Sequence, residues 1–99
     1  MKLAVFMSDW RRSEDTLERM KADKLGIILV ENGIYHAVVK ENGKESPVLS
    51  KAGATFYALT DDLETRGYTS ANVSSKVKLV SYADIVDLIM NDYEKTAWL

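Results

Sequence analysis

Two scarcities limit the chemistry open to this chain: it has no cysteine, and its only histidine is His36. Without a thiolate there can be no disulfide scaffold, no thiolate zinc site or iron–sulfur cluster, and no persulfide or thioester on the chain's own side chains. With a single imidazole a multi-histidine metal centre cannot form, and any histidine-dependent catalysis must run through His36. His36 stands beside Tyr35, a pairing that offers acid/base chemistry. No spaced nucleophile accompanies it, however, and the plainer reading is a partly buried or exposed histidine on a helix or strand. Asp61 and Asp62 could act as a carboxylate pair or hold a cation, but adjacent acids behind Thr60 are what a helix N-terminus asks for, so capping is the reading adopted. Neither GxGxxG nor GxxxxGK[ST] follows any apolar run, and no cofactor or metal is expected.

The segments that must position these residues alternate between short apolar runs and amphipathic stretches, with no repeat, no linker and a single proline, Pro47. Lys2 to Met7, Leu25 to Val30, Ala54 to Leu59 and Val77 to Val80 read as four strands buried on both faces. After the first, Ser13 can cap a helix with Glu14 and Asp15 in its opening turn and Leu17 and Met20 inward. After the second, Asn32-Gly33 supports two readings. It is a strong hairpin signal, yet Ile34, Ala37 and Val38 also share one helical face. Ser46-Pro47 opens a short helix closed by Gly53, and Thr60 caps another that ends at Gly67. Ser81 to Asp84 is a capping box before a helix whose Ile85, Val86, Leu88 and Ile89 form a broad apolar stripe. Strands and helices in alternation imply an α/β fold, a three-layer and mostly parallel sheet with helices on both faces, formed by residues 1–99 as one domain.

Ninety-nine residues, 46% hydrophobic and 28% charged, with a net charge of −2, describe an ordinary globular chain. It lacks a cationic footprint for a nucleic-acid backbone, and no direct nucleic-acid contact is expected. The apolar runs Leu3 to Met7 and Ile27 to Val30 are far too short to span a bilayer, and the absence of cysteine suits a reducing cytoplasm. In open α/β sheets ligands sit beyond the carboxyl ends of the strands, which makes Asp9, Asn32 and Thr60 candidates for a crevice. Trp10 and Trp98 stand out differently. Trp98 and Leu99 end the chain, where segments fray unless docked, so Trp98 either packs onto its own domain or contacts another subunit.

Four segments also carry a family pattern. Glu31-Asn32-Gly33-Ile34-Tyr35-His36-Ala37-Val38 follows the second strand, and Phe56-Tyr57-Ala58-Leu59 runs into Asp61-Asp62-Leu63-Glu64-Thr65-Arg66-Gly67. Val80-Ser81-Tyr82-Ala83-Asp84-Ile85-Val86-Asp87-Leu88 and the closing Ala97-Trp98-Leu99 complete the set. In order and spacing, over nearly the whole chain, these resemble the DsrH/TusB family of the DsrE-like superfamily. The resemblance implies a three-layer, flavodoxin-like α/β fold with a helix after Asn32-Gly33. It further implies a cytoplasmic sulfur-relay subunit, partnered by TusC/DsrF-like and TusD/DsrE-like chains, with a homodimer as the other assembly considered, that supports tRNA wobble-uridine 2-thiolation or oxidative sulfur metabolism. Some members carry a cysteine in the first helix. That position falls at or beside Met20, whose thioether cannot hold a transferable sulfane sulfur. The expectation is therefore a non-catalytic subunit, with Trp10, Trp98 and Leu99 as interface contacts. The alternatives are a stand-alone homo-oligomeric small-ligand module using Asp9, Asn32 and Thr60, and a small hydrolase using His36.

Overall fold

A computed structural model describes residues 1–9, 19, 22–40 and 42–99. Trp10, Met20 and the helix expected from Ser13 onward lie outside the described residues. Five strands form one sheet: β1 (Lys2–Met7), β2 (Lys24–Leu29), β3 (Ala54–Leu59), β4 (Val77–Val80) and β5 (Lys95–Trp98). Their order is β4-β3-β2-β1-β5 and every pairing is parallel. The expected α/β class is therefore observed. Within it, the strand order reverses between β1 and β5, whereas the flavodoxin order 2-1-3-4-5 reverses between β1 and β3.

That order decides which face each connection covers. Right-handed crossovers that step from β1 to β4 in one direction all fall on one side of the sheet, and the return from β4 to β5 falls on the other. The two cores follow this division. Leu3, Val5, Ile27, Leu29, Phe56 and Ala58 pack with Ile34, Ala37, Val48, Leu49 and Leu63 from the β2–β3 and β3–β4 connections. On the opposite face Ala4, Phe6, Ile28, Tyr57 and Val80 pack with Ile85 and Tyr93 from the β4–β5 connection. The alternation of side chains along each strand supplies both sets, which is why these strands read as unbroken apolar runs.

Asn32-Gly33 resolves to helix: a 3-10 turn, Glu31–Ile34, leads into α1, Tyr35–Val38. Gly33 is required there by contact, because a Cβ would lie 1.9 Å from the Met7 carbonyl oxygen. Ser46 caps the 3-10 turn Pro47–Ser50 by accepting the Val48 N–H, as the Ser-Pro pair predicts. Thr60 corrects its expectation. It is the first residue of α2 (Thr60–Thr65) rather than its cap, and its hydroxyl donates to the Val80 carbonyl, because β3 enters the helix with no intervening loop. The Ser81–Asp84 capping box opens α3 (Tyr82–Asp87), which continues as a π-turn over Leu88–Asp92. Val86, expected in the inward stripe of α3, is 57% exposed, because Ile85 takes the buried position beside it.

β5 has no counterpart among the four strands read from the sequence. Lys95–Trp98 is only four residues long with little apolar content, so neither length nor pattern announces it. It pairs Leu3 with Lys95 through Phe6 with Trp98. Clamps at both ends fix it: Glu94 N–H donates to the Lys2 carbonyl at 2.8 Å, and Leu99 N–H donates to the Phe6 carbonyl at 2.9 Å.

Candidate functional site

Because all five strands run the same way, their carboxyl ends share one rim, and the candidate residues gather there. Asp9 follows β1, Asn32 follows β2, Thr60 follows β3, and Trp98 with Leu99 closes β5. Asp9, Asn32 and Thr60 are thus brought to neighbouring strand ends, as the crevice reading requires. The Asp9 backbone carbonyl, the Asn32 amide oxygen and the Thr60 hydroxyl already bond within the chain. The Asp9 carbonyl lies 3.1 Å from His36 Nε2. Asn32 Oδ1 accepts from Arg66 Nε at 3.2 Å and from a second Arg66 guanidinium nitrogen at 3.1 Å. The Thr60 hydroxyl is committed to Val80 at 3.1 Å.

His36 is buried, with 2% of its surface exposed, which is deeper than the partly buried or exposed position expected. A backbone carbonyl can only accept, so Nε2 donates to Asp9 at 3.1 Å, while Nδ1 lies 2.7 Å from the Ser46 hydroxyl oxygen. Ser46 Oγ in turn accepts from Val48 N–H at 3.3 Å. The ring therefore ties the loop after β1 to the cap of the Pro47–Ser50 turn. That is positioning work, and a ring sealed from solvent and held at both nitrogens is poorly placed to relay protons.

The acids after β3 have a use that the sequence reading missed. Asp62 Oδ2 accepts the Glu31 N–H at 2.6 Å, and Arg66 donates to both the Asp62 carbonyl and Asn32. Glu31 itself sits at φ +49°, in the left-handed region. Both acids stand in the first turn of α2, as a helix N-terminus asks, and Asp62 in addition binds the turn after β2. The signal in the sequence is Arg66, four residues after Asp62 and facing it across one helical turn. No group of three or more metal-ligating side chains gathers among the described residues.

At the other end of the rim the geometry is apolar. Trp98 stacks on Phe6 with ring centroids 4.6 Å apart and planes 14° from parallel, yet 64% of its surface remains exposed. The sequence left two roles open for Trp98, packing onto its own domain or presenting a contact, and the ring has the geometry of both. It lies at the carboxyl end between β1 and β5, the strand pair at which the order reverses. Leu99 is partly buried and packs against the opposite core. Trp10, the third interface candidate, lies outside the described residues.

Behind this rim Tyr93 closes the α3 face. Its ring covers Gly26, where a Cβ would meet the Tyr93 hydroxyl at 2.3 Å, and Lys24 Nζ sits 4.9 Å from the ring centroid. The Tyr93 hydroxyl is buried without a hydrogen-bond partner. Burial raises its pKa far above the usual phenol value, and the neighbouring Tyr57 adds to the shift.

Comparison with known proteins places this arrangement. The family model described as DsrH like protein matches residues 8–95. A protein TusB from Photorhabdus laumondii is 30% identical over 98 residues, covering 99% of this chain and 100% of its own length. A protein TusB from Enterobacter sp. strain 638 is 29% identical over 91 residues, covering 92% and 93%. A solved structure from Methanobacterium thermoautotrophicum, of a protein of unknown function, superposes with a TM-score of 0.71 over 97% of both chains at 13% identity, a likeness of fold alone. A Thermotoga maritima protein superposes with a TM-score of 0.61 at 25% identity, covering 90% of this chain and 93% of its own.

Proposed function

The chain belongs to the DsrH family, and on that premise we propose that it is a structural subunit of a sulfur-relay complex, working beside TusC/DsrF-like and TusD/DsrE-like partners that carry the reactive cysteine. The sulfur is routed toward 2-thiolation of tRNA wobble uridines. With no cysteine anywhere in its sequence, the chain holds no persulfide of its own and acts by fixing the position of a partner that does. The observation that carries the reading is Trp98, a large ring braced by Phe6 and still mostly in water, which is the form of an interface anchor. In the alternative crevice the Asn32 amide oxygen and the Thr60 hydroxyl bond within the chain, so the small-ligand reading draws no support from those two groups.

The test is deletion of the gene in its host, with 2-thiouridine in bulk tRNA measured by mass spectrometry. The deletion is expected to deplete the modified base, the wild-type gene to restore it, and Trp98→Ala to restore it only in part. Undiminished 2-thiouridine with impaired sulfur oxidation would redirect the reading to oxidative sulfur metabolism. Covalent uptake of labelled sulfur by the purified chain from a persulfide donor would overturn it.

A further inference from the structure

The same dipeptide occurs twice in this chain, as Asn32-Gly33 and as Asn42-Gly43, and the fold gives the two copies opposite surroundings. An asparagine ahead of a glycine can react with its own backbone. The glycine nitrogen gives its proton to hydroxide and adds to the asparagine Cγ. The new C–N bond closes a cyclic imide as the Cγ–Nδ2 bond breaks, and the departing nitrogen takes a proton from water and leaves as ammonia. Water then opens the ring at either carbonyl, giving aspartate or isoaspartate. Only water and hydroxide are consumed or exchanged. Glycine favours the step because no side chain shields its nitrogen, and the rate follows how readily the backbone brings that nitrogen onto Cγ.

Asn32-Gly33 is locked against that motion. Asn32 lies in the 3-10 turn Glu31–Ile34, and Tyr35 N–H donates to its carbonyl. The nucleophile is committed as well, since Gly33 N–H donates to the Val30 carbonyl at 2.8 Å. Arg66 holds the Asn32 side chain from two guanidinium nitrogens, at 3.2 Å and 3.1 Å. Gly33 is pressed on the Met7 carbonyl besides. Swinging Cγ onto the Gly33 nitrogen would break these contacts together, so reaction there waits on a local opening of the rim. Asn42-Gly43 is free of such restraint. Both residues are exposed, and a Cβ built on Gly43 would meet open space. Their φ angles are +53° and +76°, as in a tight turn built on Asn-Gly. An L residue in the left-handed region lies above its extended minimum, so Asn42 can rotate toward an attacking conformation at little cost. We propose that Asn42-Gly43 is a site of spontaneous deamidation to aspartate and isoaspartate, and that the fold shields Asn32-Gly33 from the same reaction. Conversion makes the net charge of −2 more negative, and isoaspartate adds a backbone methylene shortly before Ser46, the neighbour of His36. The inference stands apart from the relay reading, and its failure would leave that reading untouched.

The experiment incubates the purified chain in mildly alkaline buffer, folded and in urea, and follows the two Asn-Gly peptides by mass spectrometry. An isoaspartate-specific methyltransferase reports the isoaspartate formed. In the folded chain the peptide carrying Asn42 is expected to convert about tenfold or more faster than the peptide carrying Asn32. In urea, with the fold gone, the two rates are expected to converge. Asn42→Gln should abolish the methyl acceptance of the folded chain and the acidic species on ion exchange, because the larger ring closes slowly, while circular dichroism confirms that the variant folds. Equal rates at the two sites in the folded chain would overturn the assignment. So would an Asn42 that converts in urea and not in the folded chain. An Asn32 that stays slow in urea would show that the fold is not its shield and would overturn the contrast.

Discussion

Gly33→Ala should be the most damaging single-methyl change in the described chain, and its size can be worked from the contact that Gly33 makes. The new Cβ would stand 1.9 Å from the Met7 carbonyl oxygen and 2.7 Å from its carbon, both backbone atoms at the end of β1. No rotamer can relieve that, so the turn must retreat by more than an ångström. The same Met7 oxygen accepts Val30 N–H at 3.0 Å, and Val30 O accepts Gly33 N–H at 2.8 Å, so retreat strains two backbone hydrogen bonds. Overpacking costs about 1–3 kcal/mol and the two bonds about 1 kcal/mol each, for a total of about 3–5 kcal/mol. At roughly 4–8 °C per kcal/mol for a chain of this length, the melting temperature should fall by about 12 °C or more. Gly53→Ala is the control, because Gly53 has φ +77° with nothing near its missing Cβ. Strain of the left-handed region alone should cost that variant about 1–2 kcal/mol. Urea denaturation followed by circular dichroism ranks the pair. A Gly33→Ala loss equal to or smaller than that of Gly53→Ala would show that the turn does not press on β1, and the placement of Asn32 at the strand ends would go with it.

Two further predictions concern strained or unsatisfied groups near the rim. Glu31 at φ +49° carries a left-handed penalty of about 1–2 kcal/mol, and glycine forfeits about 0.5–1 kcal/mol of backbone entropy, so Glu31→Gly should stabilise by about 0.5–1 kcal/mol in the same urea assay. A loss would mean that the Glu31 side chain matters more than its backbone. Tyr93→Phe removes a buried hydroxyl without a partner and should raise stability by about 1 kcal/mol at neutral pH. Because the folded pKa lies above the unfolded value of 10.0, the unfolded state loses its proton first, so wild-type stability must fall as pH climbs past about 10. Tyr93→Phe should flatten that alkaline decline in melting temperature, and an unchanged slope would refute the buried placement.

The strands and the capping box were legible because they rest on local rules: unbroken apolar runs for strands buried on both faces, and a serine three residues ahead of an aspartate for α3. Asn32-Gly33 was not decidable from local pattern. The glycine is needed for its approach to Met7, a residue 26 positions earlier, and Asn-Gly looks the same whether it serves a turn conformation or a contact. β5 escaped for a related reason. Lys95–Trp98 is a strand only because β1 lies beside it and Glu94 and Leu99 pin its ends, all of them long-range facts. Among the site candidates, Asp9, Asn32 and Thr60 were rightly placed at strand ends by the rule for parallel sheets. What they bond was hidden, because their partners His36, Arg66 and Val80 lie far along the chain.

The order of the strands links these observations to assembly. Stepping from β1 to β4 in one direction places two described connections on one face, while among the described residues the opposite face receives the return through α3. One helix cannot seal five strands. Tyr93 reaches across Gly26 to close the middle of that face, and Trp98 remains open at its β5 edge, stacked on Phe6. Tyr82, Val86 and Met90, exposed on α3 and its π-turn, flank the same thinly covered layer. A fold that winds its connections this way leaves apolar surface on the face with one helix, and burial there is worth roughly 25 cal/mol per Å² to any subunit that supplies a matching surface.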